Sequence, residues 1–570
     1  WMVMTPGQHF DKGWRLRNVG TITWNPSYHL AFQAGTRMGP LMMVRAPVVA
    51  PAAIGVFTVA LVAPLKPGRY RSIWQMTDPN ARPFGQQVWV AITVAARRVG
   101  TPTSTEPPDG SPSPTGSPGA DAATPTPTTT PSPLPIAPTV QPPTPSPMAS
   151  ATPTATPEWL GPVAYSAYFA EGYTGGQTQQ YLSLFNPGVV PAGVRLTIYR
   201  ADGASRVVVL ALRPDEVRSV NVARLAPRAS VALRIEADRF VAAERVMYAG
   251  TGGHAAAAIS RPSRHWMLTH FLMESGYQEW LPLFNPNDEA LTATVTITPA
   301  VGAPHALTAL VPPHTRVTLS LARYLGGRAS RAISVDAPLP LVAEHVAYFN
   351  KGRSMVAHSG AAAPSAVWYF AEARTDGGHM AYISVVNPTG GTATVTLTLR
   401  MSDGSWQQRY VLISPHGSHV FGLHHIARSP GLSATVRATA PIYAEEALYL
   451  PGRRGAALIG GASRAARAWY LAEGYTGGGY RESVFIFNPG NQGAIVRVRY
   501  ATGAGATQVK WVHVPARGRA SWMVNGDVAP GNVAITFNAA VPIVVSRGEE
   551  FHDGWGLTSA LAILGPPAAL

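Results

Sequence analysis

The chain has 570 residues, 46% of them hydrophobic and 13% charged, with 55 Gly, 53 Pro, no Cys and a formal net charge of +15. This length fits roughly three to five domains, and the Gly and Pro content favours turns and short strands over long helices. The lack of cysteine excludes disulfides, Cys-ligated zinc and a thiol nucleophile, and no apolar run approaches the roughly 18 to 20 residues of a membrane span.

The first unit covers residues 1–98. Phe10 to Asn18 alternates, with Trp14 and Leu16 on one face and Arg15 and Arg17 on the other. Tyr70 to Met76 and Val88 to Val94 alternate likewise, the period of half-buried strands. Turns fall at Asn25-Pro26, Lys66-Pro67-Gly68 and Asp78-Pro79-Asn80. Some seven short strands spaced this way predict an antiparallel sandwich. Eleven Lys and Arg stand against two Asp here, a charge of +9. A basic surface attracts nucleic acid, anionic lipid or acidic polysaccharide. A general preference for Arg is the plainer account. The chain opens on Trp1 in strand-like sequence, so an upstream segment carrying a signal, an anchor or another domain is expected.

The run Trp14-Arg15-Leu16-Arg17-Asn18-Val19-Gly20-Thr21-Ile22-Thr23-Trp24-Asn25-Pro26, followed by Pro67-Gly68-Arg69-Tyr70-Arg71, Trp74-Gln75-Met76, Asp78-Pro79, Pro83-Phe84-Gly85 and Val88-Trp89-Val90, resembles the four-tryptophan (FW) domain. That is the Ig-like domain of the neighbour-of-BRCA autophagy receptors and of bacterial relatives. Trp14, Trp24, Trp74 and Trp89 would be its name-giving tryptophans. The resemblance implies an Ig-like sandwich used for protein binding, without catalysis, and tryptophans that belong to the core motif. Nucleic-acid binding, which needs Arg clustered with exposed aromatics, is therefore not expected.

Residues 99–157 change abruptly to Thr, Pro, Ser and Ala, with no Lys or Arg between Gly100 and Pro157. Such a segment buries too little apolar surface to offset its ordering entropy. A disordered, semi-extended spacer with an upper reach of roughly 180 Å is expected. Ser/Thr/Pro-rich tracts of this kind suit O-glycosylated stalks, which points to an extracellular or cell-surface location.

Residues 158–570 hold one signature four times, in copies spanning 158–262, 263–364, 365–465 and 466–570. Copy one reads Tyr168-Phe169-Ala170-Glu171-Gly172 to Asn186-Pro187, and copy two Trp266 through Glu274-Ser275-Gly276 to Asn285-Pro286. Copy three reads Trp368-Tyr369-Phe370-Ala371-Glu372 to Asn387-Pro388, and copy four Trp469-Tyr470-Leu471-Ala472-Glu473-Gly474 to Asn488-Pro489. Pro presets φ for the second turn position, and Gly188, Asn287 and Gly490 supply a permissive third. The next strand places Ala393, Val395, Leu397 and Leu399 inward and the intervening Thr outward. Seven or eight strands per copy again predict a sandwich. The fold class is all-β: five Ig-like antiparallel β-sandwich domains, the first separated from four tandem repeats by a disordered Pro/Thr/Ser linker. The repeats resemble tandem Ala-Glu-Gly/Asn-Pro β-repeats of large surface proteins in Chloroflexi and actinobacteria, which implies display and a tandem rod.

Copies one to three pair an early Glu (Glu171, Glu274, Glu372) with a late one (Glu244, Glu344, Glu445), while copy four has Glu473 early and Ser546 late. Two facing carboxylates can act as acid and base on a glycosidic bond. Recurrence favours the plainer role, in which each Glu accepts backbone N–H groups or pairs with a local Arg. His416, His419, His424 and His425 cluster at spacings that can bind zinc; His419, however, falls where the other copies carry Arg218, Arg316 and Arg519. His358-Ser359-Gly360 lacks the context of a nucleophile elbow, and Gly252-Gly253 and Gly460-Gly461 lack the rest of a phosphate loop. Tyr173, Tyr475 and Tyr480 could stack on sugars, though packing at turns is commoner.

These readings lead to a non-enzymatic surface or secreted protein of structural or adhesive function, needing no cofactor and no metal. Its partner is a protein or a surface polysaccharide. The competing readings are the ectodomain of a transmembrane sensor, the accessory region of a glycan-active enzyme, and a cytosolic scaffold.

Overall fold

The computed structural model describes residues 2–6, 8–38, 43–79 and 82–95, and then 161–565 except 177, 272–277, 300–302, 322–329, 353, 504, 506, 553 and 555. The Pro/Thr/Ser segment lies outside the described residues. Two compact units result, residues 1–135 and 136–570, and each is nearly all β.

In the first unit, β1 (Met2–Met4), β7 (Pro83–Val94), β6 (Gly68–Thr77), β3 (His29–Gly35) and β4 (Met43–Arg45) form one sheet in that order. Strands β2 (His9–Arg17) and β5 (Ile54–Val62) form the other. Pairing is antiparallel except between β1 and β7. Period-two alternation buries Trp74 and Met76 from β6 and Val90, Ile92 and Val94 from β7. Trp14 and Trp74 meet at 6.1 Å between ring centroids, and Trp24 packs edge-on against Phe57 and Phe84. Trp89 departs from the expected core role and is 53% exposed. Its neighbours Val88 and Val90 turn toward the core, so the pleat sends the intervening side chain to solvent.

Copy one shows the plan of all four repeats. One sheet runs β11 (Ser205–Leu212), β10 (Ala192–Arg200), β13 (Val231–Ala237), β8 (Tyr165–Phe169). The other runs β12 (Val217–Asn221), β9 (Gln179–Phe185), β14 (Ala242–Ala249), β15 (Gly252–Ala257). In copies two to four the equivalents of β13 and β14 fuse into single strands, Ser330–Phe349, Leu432–Tyr449 and Val533–Phe551, that cross from one sheet to the other. The strands opening these copies begin at Ser263, Ser365 and Ala466. Between the sheets lies an apolar core; Val395, Leu397 and Leu399 are fully buried.

The Asn of each Asn-Pro motif is a buried staple. Asn387 Nδ2 donates to the carbonyls of Gly391 (2.7 Å), Ile413 (3.2 Å) and Ser414 (3.1 Å), and its Oδ1 accepts the Thr389 N–H at 3.0 Å. Asn186, Asn285 and Asn488 repeat this pattern. Asn18, in the first unit, does nearly the same with Ile22, Val49 and Gly20. The turn is thus fixed by a side chain rather than by left-handed backbone. None of Gly188, Asn287 and Gly490 takes a positive φ, contrary to the turn expected from their sequence. Asn387→Ala leaves buried carbonyls unpaired and is expected to cost about 1–3 kcal/mol, measured as a lower urea midpoint at unchanged slope.

The four copies do not form an open rod. The strand of each copy equivalent to β15 packs against its counterparts in the two adjacent copies: Gly252–Ala257 lies between Ser354–Ser359 and Gly556–Leu561, and Ala456–Gly460 completes the circuit. Copy four meets copy one through an apolar seam of Tyr470, Ala472, Ala501 and Ala534 against Phe185, Val217 and Ala242. Arg499 Nη1 also pairs with Asp215 at 2.6 Å. The tandem rod that the resemblance implies is not formed, because copy one's second sheet offers a complementary face to copy four. Closure removes two solvent-facing ends and buries their apolar area.

Candidate functional site

In copies one, three and four the early strand carries its Glu into the seam with the next copy, and the late Glu of copies one, two and three reaches back into the preceding one. At the seam of copies one and two, Glu171 accepts Arg316 Nη2 at 2.5 Å, while Arg316 Nη1 donates to Gly172 O at 2.7 Å. Glu344 accepts the Glu171 N–H and Arg245 Nη1, the latter at 2.9 Å. At the next seam Glu445 accepts the Thr269 N–H at 3.0 Å and stands 3.3 Å from His358 Nε2. At the third, Glu372 accepts Ser559 Oγ at 2.6 Å and touches Ser546 Oγ at 3.5 Å. Ser546, at the late-Glu position, therefore meets a carboxylate instead of supplying one.

The closing seam is the most heavily charged. Glu244 accepts the Ala472 N–H at 3.0 Å and Arg547 Nε at 3.3 Å. Arg547 also pairs with Glu473, and its Nη1 lies 3.6 Å from Glu482. Glu549 accepts Tyr248 Oη at 3.1 Å. Arg547, Glu244, Glu482 and Glu549 are fully buried. One guanidinium cannot balance four ionised carboxylates out of water. Burial accordingly pushes Glu244 and Glu372 up to about 7 and Glu549 to about 8, and it raises Glu473 and Glu482. The ion pairs and the backbone N–H oppose this at Glu244, but desolvation is the larger effect.

The early and late Glu of one copy therefore do not face each other. Glu171 points to copy two and Glu244 to copy four, and all these carboxylates are at most 6% exposed. Glu171, Glu244, Glu344 and Glu445 accept backbone N–H or Arg groups from other copies, Glu372 accepts hydroxyls of copy four, and Glu473 pairs with Arg547 of its own copy. Glu274 lies outside the described residues. The bridges Tyr168↔Ile259 and Met267↔Ala361 align residue 270, not 274, with Glu171.

Other candidates find structural roles. His419 is half-buried beside the Phe421 ring, and the His424 and His425 rings sit 4.1 Å apart. Among the described residues no three His, Cys, Asp or Glu are placed to share a metal. A Cβ on Gly253 would meet Met247 O at 2.8 Å and the Phe551 ring of copy four at 3.1 Å; one on Gly461 would strike the Phe370 ring. The glycine pairs thus permit close packing. Tyr475 and Tyr480 pack edge to face at 5.3 Å, and Tyr173 lies over Gly175 of its own turn. No helix among the described residues is long and apolar enough to cross a membrane.

Exposed aromatics stand on both units: Trp406 and Trp511 on the repeats, with Arg400 5.5 Å from the Trp406 ring centroid, and Trp89 on the first unit. The Arg71 guanidinium lies 4.9 Å from the centroid of the Trp89 ring, on the solvent side of β6 and β7. Trp89 holds this place because its own carbonyl accepts Trp14 Nε1 at 3.4 Å. The pairing Ile73↔Trp89 and Arg71↔Ala91 sets both groups on one face.

The fold and these contacts define a chain of Ig-like and related β-sandwiches in which the recurring charges hold copies together. Residues 1–94 match the family of the Ig-like domain from next to BRCA1 gene, and residues 343–550 match a family of unknown function, DUF5719. Protein ILRUN of Danio rerio is 32% identical over 89 residues, covering 16% of this chain and 31% of that protein. Next to BRCA1 gene 1 protein of Mus musculus is 32% identical over 94 residues, 16% of this chain and 9% of that protein. The chain thus spans less than a third of the length of these curated relatives. Of solved structures, Thermotoga maritima 1070 is similar over 18% of this chain and 98% of its own, at 18% identity and a TM-score of 0.17. A tetra-tandem repeat in the extending region of a large adhesion protein is similar over 68% of this chain and 95% of its own, at 11% identity and a TM-score of 0.09.

Proposed function

We propose that this is a non-enzymatic protein of the cell surface or the secreted matrix. Its basic Ig-like unit binds a protein or polysaccharide partner, and the repeat ring serves as a stable carrier. The observation that carries the reading is the exposed Arg71–Trp89 pair. A large aromatic left in solvent beside a guanidinium is the kind of residue that anchors interfaces, and it lies in the domain whose family resemblance implies protein binding. The seam carboxylates are at most 6% exposed, and Glu473 lines only a small cleft of about 50 Å³ with Tyr475 and Tyr480, which supports a carrier role for the repeats. The Thr/Pro/Ser segment supports the outside of the cell.

Two measurements test this. Labelling intact cells with an antibody to the chain is expected to give full signal without lysis; signal only after lysis contradicts the location. Beads carrying the full chain are expected to adhere to the producing cells, and Trp89→Ala with Arg71→Glu to lower retention about tenfold or more. The melting temperature should stay unchanged, because Trp89 is half exposed. Equal retention by the variant, or turnover of glycosides by the chain, overturns the reading.

A further inference from the structure

The four bridges that tie each copy's exit to its own first strand are equivalent: Tyr168↔Ile259, Met267↔Ala361, Tyr369↔Ala462 and Tyr470↔Ile563. Two residues beyond each lies the crossover position, occupied by Arg261, Ala363, Arg464 and Gly565. Arg261 leaves copy one, and Arg464 stands two residues before the first strand of copy four, Ala466–Leu471. Both line one cavity of about 630 Å³, together with Leu564 and Gly565 of copy four. The cavity therefore lies between copies one and four, where three of the four crossover positions gather.

The rest of the wall is informative. Besides Leu564 and Gly565 it holds Ala164, Tyr165, Ser166, Phe240 and Ser260 of copy one, and no carboxylate. Neither arginine forms an ion pair among the described residues. The Tyr165 ring meets Phe240 edge to face at 5.2 Å, and burial pushes its hydroxyl up to about 12, so it stays neutral. Two guanidinium forks suit a carboxylate or a similar planar anion. The aromatic rings suit an apolar ring face and the serines suit hydroxyls. The volume is that of a small-molecule site. An inorganic anion would use the arginines and leave the aromatic wall idle.

We propose that this cavity is a binding site for an acidic sugar, a carboxylate-bearing pyranose unit of a polysaccharide. Arg261 and Arg464 clamp the carboxylate, and Tyr165 and Phe240 provide the ring's apolar wall. The site belongs to the repeat unit, so its failure leaves the proposed role of the Arg71–Trp89 surface intact.

Titration calorimetry on the full chain tests it with a hexuronate oligosaccharide. The comparators are a neutral hexose oligosaccharide of equal length, sodium sulfate and an acidic peptide of equal charge. Saturable binding of the hexuronate is expected. It should weaken about tenfold or more for Arg261→Gln and again for Arg464→Gln, with an unchanged melting temperature. Arg261→Lys, which keeps the charge and loses the fork, should fall between. The proposal is overturned by no hexuronate binding, by equal binding in the double variant, or by binding of the neutral sugar, sulfate or acidic peptide at comparable strength.

Discussion

Arg547→Gln is expected to destabilise the repeat unit by roughly 3–5 kcal/mol, the cost of leaving buried charge without its partner. Arg547 is fully buried and is shared by Glu244, Glu473 and Glu482, with Glu549 adding to the same field. Removing the guanidinium forces protonation of carboxylates that it had held partly ionised. Copies one and four should then separate at a lower denaturant concentration than the remaining seams, as a distinct early transition. The effect is not additive. Adding Glu473→Gln and Glu482→Gln to Arg547→Gln should recover much of the loss, because the negative charge leaves with the positive one. If the triple variant is less stable than Arg547→Gln, the seam is held by packing rather than by charge balance.

Raising the pH from 6.5 to 8.5 is expected to weaken the ring by on the order of 3 kcal/mol. The sign follows from the folded carboxylates. Glu244 and Glu372 titrate near 7 and Glu549 near 8, against about 4.3 for an unfolded glutamate. A raised carboxyl favours folding while it keeps its proton. Its contribution is complete below the unfolded value and is lost as pH rises through the folded one. His254, buried in strand β15 and lowered well below 6.5 by desolvation and by Arg245, acts oppositely. Its contribution is present above the unfolded histidine value and is lost as pH falls toward the folded one, so it changes by only about 0.4 kcal/mol over this window. The melting temperature should therefore fall by roughly 5 °C between pH 6.5 and 8.5. In Glu244→Gln with Glu549→Gln the fall should be at most half as large. A melting temperature that rises across this window would contradict the charge account.

Much of the local structure is legible in the sequence, because a strand needs only its own residues to declare its faces. Ala393, Val395, Leu397 and Leu399 alternate and are all buried. The same rule could have found two features that went unread. Glu482 shares the inward positions of Val484 and Ile486 in the strand Arg481–Phe487. A charge on that face must be buried and must seek a partner. Trp89 falls on the outward phase set by Val88 and Val90, but the resemblance of its motif drew it into the core.

The Asn-Pro motifs are legible as turns but not as staples, because the carbonyls that Asn387 satisfies lie up to 27 residues away. Ring closure was not legible at all. It rests on pairs such as Ala472 N with Glu244 Oε1, which are 228 residues apart in the chain. Nothing near Glu244 signals that its partner is in copy four. Recurrence pointed to an architectural role for these glutamates; the structure places Glu171, Glu244, Glu344, Glu372 and Glu445 in contacts between copies.

The chain has no cysteine, so two spin labels can be placed without interference, at Val189→Cys in copy one and Ile495→Cys in copy four. Both sites are exposed. Val189 is two residues from Pro187, whose carbonyl accepts Arg499 Nη2 at 3.0 Å, and Ile495 lies four residues before Arg499. Strand geometry then puts the labels within about 30 Å in a closed ring. In an open rod, two intervening sandwiches of radius of gyration about 13 Å each would hold them beyond about 60 Å. A dipolar distance distribution centred below about 30 Å is the expected result, and one centred beyond about 60 Å would contradict the ring.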